Sequence, residues 1–140
     1  RVIGSLHASW KGSLLGIIEN EVQGFKENYG SIPSDLIAVV MPSISVESFE
    51  VGIDCAEQFV QAGFAEFIDS NSYEKPHVNL SKVNHAILKK CGLSEDNIHV
   101  IDNLCTYRDE QLFHSFRRGP IDDNGNHLNG MNGYFIKFDN

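Results

Sequence analysis

Residues 2–12 read Val2-Ile3-Gly4-Ser5-Leu6-His7-Ala8-Ser9-Trp10-Lys11-Gly12. Val2 to His7 is a short apolar run with β-branched residues, the pattern of a buried strand. A turn of small residues around one large aromatic, Ala8 to Gly12, follows it. From Ser13 the pattern turns helical: Leu14, Ile18, Val22 and Phe25 recur at helical spacing, with Leu15 and Ile17 widening the stripe. Ser13 is the expected N-cap, and Gly30 with Pro33 ends the helix. Strand, tight turn and helix in that order point to an α/β or α+β architecture.

The rest of the chain continues the alternation. Strands are expected over Leu36 to Met41, Ile44 to Val51, Phe64 to Ile68, Ile98 to Ile101 and Tyr134 to Phe138. Asp54 caps a short helix ending near Gly63, and Asn79 opens another that carries Leu80, Val83, Ile87 and Cys91 on one face before Gly92 stops it. The Gly-, Asn- and Asp-rich stretch from Gly119 to Gly133 reads as a surface loop. Neither an internal repeat nor a domain boundary is visible. The expected fold is a mixed β-sheet with flanking helices in one domain over residues 1–140. The first strand starts at Arg1 without a lead-in, so the chain reads as part of a longer polypeptide, incomplete on its N-terminal side, rather than as one opening on a cleavable leader.

Charge and composition narrow the function. The net charge of −8 argues against a nucleic-acid partner, because phosphate backbones are gripped by clustered Lys and Arg. It leaves room for a small anion, which one or two arginines can hold. No apolar run approaches the roughly 20 residues of a membrane helix. Cys55, Cys91 and Cys105 are odd in number and far apart, which suggests neither a disulfide framework nor a metal knuckle and fits a reducing, cytoplasmic setting.

Candidate chemistry starts at His7. A histidine at a strand end, beside small residues that let a ligand approach, suits a metal ion, for which neutral imidazole is a common ligand. The other reading is a structural histidine bonded to backbone. Trp10 has two readings as well: a platform for a flat ring, or packing beneath the turn. Arg117 and Arg118 have the bidentate geometry that matches phosphate, or else form a solvated, salt-bridged surface. His114 beside them reads as a proton carrier or a surface residue. Cys105 reads as a core thiol, since no base neighbours it in sequence. His77, His85, His99 and His127 lack ligand spacing and read as surface or helix-flank residues. Asp122-Asp123-Asn124-Gly125 lacks the spaced acids of a calcium loop and reads as a turn.

Four ordered motifs add a resemblance that covers essentially the whole chain. His7-Ala8-Ser9-Trp10-Lys11-Gly12 resembles the His-Ala-Gly-Trp-Arg-Gly motif of the laccase-domain family, also called the multicopper polyphenol oxidase or purine nucleoside phosphorylase family. Val40 to Gly52, ending Phe49-Glu50-Val51-Gly52, is similar to its Gly-Pro-x-Ile-Gly-Pro segment and the Phe/Tyr-Glu-Val-Gly after it. Val78-Asn79-Leu80 resembles its Asp-Leu-led helix. Cys105-Thr106 and Phe113-His114-Ser115-Phe116-Arg117-Arg118 resemble its Cys-Thr and Phe-Ser-Tyr-Arg-Arg pair.

The resemblance implies a laccase-domain-like fold, of which this chain is the C-terminal part. It implies zinc, or copper in older descriptions, held by two histidines and a cysteine. His7 matches the second histidine, and the other two ligands belong to an N-terminal half whose motifs do not occur here. The implied activities are phosphorolysis of purine nucleosides and deamination of adenosine, with phenol oxidation by copper as the historical rival. His7 then is the metal ligand and catalytic residue. Arg117, Arg118, Trp10 and Lys11 become the candidate contacts for purine nucleoside and phosphate. This chain departs from the pattern at Ser9, Met41, Ser45, Val46 and Met131, which leaves open an altered substrate or a binding domain without catalysis.

Overall fold

The computed structural model describes residues 1–128 and 130–137. Along the chain run α1 (Trp10–Leu14), α2 (Ile17–Tyr29), β1 (Ala38–Val40), α3 (Ile53–Gln61), β2 (Ile68–Asp69), β3 (His77–Val78), α4 (Leu80–Lys90) and β4 (Ile98–Val100). β1 and β4 pair in parallel, Ala38 opposite Ile98 and Val40 opposite Val100. β2 and β3 form a two-residue antiparallel pair. The result is the expected class of mixed α/β fold, with helices around small sheets.

α4 is the organising element, and its sequence explains why. Asn79 Oδ1 accepts the Lys82 N–H at 3.1 Å, capping the first turn. Leu80, Val83 and Ile87 fall on one face at helical spacing and are buried. Lys89 and Lys90 sit in the last turn, where cations suit the helix dipole. Gly92 at φ 95° then lets its own N–H reach Lys89 O at 2.9 Å and the Leu93 N–H reach Leu88 O at 3.3 Å. That is the Schellman closure, and Leu93 is buried beside it. α4 packs against α1, α2, β1 and β4. The core it anchors includes Ile18, Val22, Phe59, Phe64, Val78, Val83 and Ile87.

Several expected elements take a different form. The helix expected from Ser13 to Gly30 is two helices, separated at Gly16, whose φ of 80° is left-handed. Its cap is not Ser13 but Ser9, whose Oγ accepts the Gly12 N–H at 3.1 Å. Ser13 is buried instead and donates to Asn84 Oδ1 at 2.6 Å, fastening α1 to α4. The helix expected to be capped by Asp54 begins two residues sooner, with Gly52 as N-cap and Asp54 in the first turn. The strands expected at Leu36–Met41 and Ile98–Ile101 appear, trimmed to three residues each.

No strand forms over Ile44 to Val51. Ile44 and Val46 occupy one parity of the sequence, whereas the buried Phe49 and Val51 occupy the other. A strand of period two would place those pairs on opposite faces. A 3-10 turn at Val46–Ser48 resets the parity, leaving only single bridges Ser43–Cys105 and Glu50–His77. Similarly, Phe64–Ile68 is a 3-10 turn (Ala65–Phe67) leading into β2.

Val2 to His7 is not a buried strand. The segment is irregular and largely exposed, with Ile3 and Leu6 each 39% accessible. Its apolar run has no ladder partner among the described residues, and a strand exists only where another completes its hydrogen bonds. The last expected strand, Tyr134 to Phe138, is irregular through residue 137, and Phe138 lies outside the described residues. Tyr134 Oη donates to Pro42 O at 3.0 Å, so this segment runs beside the end of β1. No helix among the described residues is long and apolar enough to cross a membrane.

Candidate functional site

The turn from His7 to Gly12 is tightly made. Ser9 N–H donates to His7 O at 3.0 Å, and Ser13 N–H donates to Ser9 O at 2.8 Å. Gly12 is closely surrounded: a Cβ there would stand 3.3 Å from Ser9 Oγ, which would have to give slightly, and in ordinary contact with His7 O at 3.6 Å. His7 is exposed at the head of this turn, and among the described residues nothing ties its ring nitrogens. Trp10 is half-buried and packs against the core. Lys11 is exposed, its Nζ 5.3 Å from the centre of the Trp10 ring.

The two arginines differ sharply. Arg117 is exposed, lies 5.0 Å from the centre of the buried Phe49 ring and donates from Nη2 to Glu50 O. Both Arg117 and Lys11 act electrostatically on Cys55, in the first turn of α3. Burial pushes the Cys55 thiol up and Asp54 pushes it further, while Arg117 and Lys11 pull it down. Two cations 106 residues apart in sequence thus both act on the start of one helix, which itself favours anions. Sequence reasoning singled out both cations but not Cys55 or Asp54. The Phe49-Glu50-Val51-Gly52 motif was the available signal, because it leads straight into that first turn.

Arg118 is engaged inward. Nη1 donates to Thr106 O at 3.3 Å and to Tyr107 O, Nη2 donates to Phe113 O, and Nε lies 3.9 Å from Glu110 Oε2. Beneath it, Asp109 Oδ2 accepts the Cys105 N–H at 2.7 Å. Cys105 is fully buried, in keeping with a core thiol. Its sulfur accepts N–H groups from Ser45 at 3.3 Å and Arg108 at 3.4 Å. Burial disfavours the thiolate, but hydrogen bonds from Ser45, Arg108 and Tyr107 more than offset this and bring the thiol down to about 7. A thiol depressed by folding adds stability that is complete above its unfolded value and lost as pH falls through about 7. The parent protein should therefore gain stability over Cys105→Ala between pH 6.5 and 9, measured as the difference in urea midpoints.

The other histidines lie on other elements, and Glu50 links one of them, His77, to Arg117, bridging the first and accepting from the second through its carbonyl. His77 is buried rather than on the surface, because β3 carries it inward. Its Nδ1 lies 2.7 Å from Val46 O, and its ring stacks on Tyr73 at 3.8 Å. His85 is a helix-flank residue paired with Glu95 at 3.0 Å, and His99 is exposed. His127 stacks on Phe116 at 3.7 Å. His114 is exposed, with its backbone N–H and C=O both bonded to the Asn132 side chain at 2.8 Å. A Cβ on Gly130 would overlap the His114 ring. Asp122 Oδ1 accepts N–H groups from Asn124 and Asn126, which makes a turn of that stretch.

A zinc site needs three or four donors. Among the described residues no group of three His, Cys, Asp or Glu side chains is placed to hold a metal ion. His7 fits as one ligand, an accessible imidazole with a free ring, but it is a single donor.

Comparison with known proteins identifies the pattern these motifs belong to. The profile described as multi-copper polyphenol oxidoreductase laccase matches residues 1–133. A purine nucleoside phosphorylase of Bacteroides thetaiotaomicron is 30% identical over 132 residues, covering 92% of this chain and 48% of that protein. Purine nucleoside phosphorylase YlmD of Bacillus subtilis is 33% identical over 84% of this chain and 42% of its own length. The crystal structure of the hypothetical protein YfiH of Bacillus licheniformis superposes with a TM-score of 0.72 at 29% identity, covering 80% of this chain and 43% of that one. This chain spans about half the length of the curated relatives it matches.

Proposed function

Since the chain belongs to the multi-copper polyphenol oxidoreductase laccase family, we propose that it forms the C-terminal part of a laccase-like domain that phosphorolyses purine nucleosides. The matched relatives, named as purine nucleoside phosphorylases, support purine-nucleoside chemistry over phenol oxidation. The observation that supports the reading is the placing of Arg117 over Phe49 just before α3, where Lys11 also acts on Cys55, on the chain that also presents an exposed His7.

In this reaction a phosphate oxygen attacks the anomeric carbon of the ribose. The bond from that carbon to the purine nitrogen breaks, its electron pair leaves with the base, and the base takes a proton. Ribose 1-phosphate and free purine result. Lys11 and Arg117 hold the attacking oxyanion, and Arg117 offers the fork that matches phosphate. Trp10, half-buried against the core, offers part of a face to the purine ring. His7 supplies one ligand to a zinc ion, with the remaining ligands coming from outside these 140 residues. When bound, zinc supplies a Lewis acid at the base, which also serves deamination of adenosine by water.

A charge-assisted hydrogen bond contributes about 1.5–3 kcal/mol, so losing the Arg117 guanidinium should raise the KM for phosphate roughly 10- to 100-fold. Steady-state phosphorolysis of inosine or adenosine by Arg117→Ala, on the protein as its gene encodes it, measures this. An unchanged phosphate KM sinks the assignment of the anion site.

A further inference from the structure

Arg117 and Arg118 are adjacent in the chain, yet their guanidinium groups face different partners. Arg118 spans two stretches of backbone, taking Thr106 O and Tyr107 O on one side and Phe113 O on the other. The turn it closes is fastened elsewhere too. Thr106 N–H donates to Ser43 O at 3.0 Å, and Asp109 N–H and Phe113 N–H donate to Cys105 O and Asp109 O. Arg118 N–H and Gly119 N–H both return to Ser115 O, at 3.2 and 2.9 Å, so residues 115–119 form a second turn, which the Arg118 side chain ties to the first. Ser115 is itself buried. Arg117 projects from this second turn to Phe49 and Glu50 O.

We propose that Arg118 is a positioning residue: by clamping the Cys105–Phe113 turn onto the 115–119 turn, it holds Arg117 over Phe49 at the start of α3. This assignment rests on the reading of Arg117 as a phosphate contact. Arg118 does not touch the anion, because its donors are directed at backbone carbonyls. Three carbonyls taken by one side chain require the guanidinium fork, so lysine, a single ammonium, cannot replace it. The pair of arginines thus divides its work, one gripping the anion and one holding the gripper.

The test is a double-mutant cycle on the protein as its gene encodes it. It reads the Kd for inorganic phosphate alone by calorimetry, together with KM for phosphate, KM for nucleoside and kcat. Arg118→Ala and Arg118→Lys should each weaken phosphate about tenfold, with nucleoside KM and kcat within about threefold. Neither should weaken it further when Arg117 is already Ala, because Arg118 acts only through Arg117. Amide exchange in residues 105–113 should quicken in both Arg118 variants and stay slow in Arg117→Ala. Equal and multiplicative losses in the double variant would mean that Arg118 binds the anion itself, and would overturn the proposal. So would a uniform fall in phosphate affinity, nucleoside affinity, kcat and melting temperature, which marks a general loss of fold. Full phosphate affinity in Arg118→Ala, while Arg117→Ala has lost it, overturns the proposal and leaves the anion site standing. If Arg117→Ala also binds phosphate normally, both fail together.

Discussion

Replacing His7 by Ala is expected to abolish purine-nucleoside turnover, by two orders of magnitude or more, while leaving stability within about 0.5 kcal/mol of the parent. The second half of that expectation follows from the structure. His7 is exposed, its segment is irregular, and among the described residues its ring nitrogens have no hydrogen-bond partner. The first half follows from the proposed role, since removing one of three or four zinc ligands removes the ion. Metal analysis should find about one zinc per chain in the parent protein and none in His7→Ala. Turnover of adenosine or inosine measured on the same samples ties metal to activity. If His7→Ala keeps both zinc and turnover, His7 is an ordinary surface histidine.

The largest effect on stability is expected at Phe59. Its side chain is fully buried on α3, packed in the core with Phe64, Val78 and Val83. Phe59→Ala should cost about 3–5 kcal/mol, through lost apolar burial and the cavity left behind. Urea denaturation should show a lower midpoint with an unchanged slope, because the same surface is exposed on unfolding. A loss below about 1 kcal/mol would mean that the core around α3 closes up freely. The two variants are complementary: His7→Ala is expected to remove the proposed function with the fold kept, and Phe59→Ala to loosen the helix on whose first turn Lys11 and Arg117 act.

The chain's regular elements were legible where local chemistry and packing agree. α4 shows this best, because Asn79, the Leu80, Val83 and Ile87 face and Gly92 each announce a cap, a stripe or a stop. Elsewhere tertiary contacts outweighed local pattern. Ser13 looks like a cap, but its hydroxyl has a buried partner in Asn84, 71 residues away, and Ser9 takes the cap instead. Residues 44–51 alternate convincingly until the parity change between Val46 and Phe49, which a strand cannot absorb and a 3-10 turn can. Val2 to His7 carries a strand's composition without a strand's partner among the described residues.

The candidate site was legible residue by residue but not as an arrangement. His7, Trp10, Lys11, Arg117 and Arg118 all stand out by type and motif. That Arg117 faces outward and Arg118 inward depends on where the Cys105–Phe113 turn puts its carbonyls, which neighbouring identical residues cannot reveal. That Lys11 and Arg117, 106 residues apart in sequence, both act on Cys55 at the start of α3 is likewise set by the tertiary fold. His77 shows the reverse case: its lack of ligand spacing suggested a surface residue, and pairing of β3 with Glu50 and β2 buries it.

The most direct test of purine-nucleoside phosphorolysis is to follow inosine or adenosine with and without inorganic phosphate, using the protein as its gene encodes it, and to identify the sugar product. Phosphate-dependent release of ribose 1-phosphate with free purine is the result predicted. Release of free ribose at a rate indifferent to phosphate, or no cleavage of any purine nucleoside by the zinc-loaded protein, would contradict it.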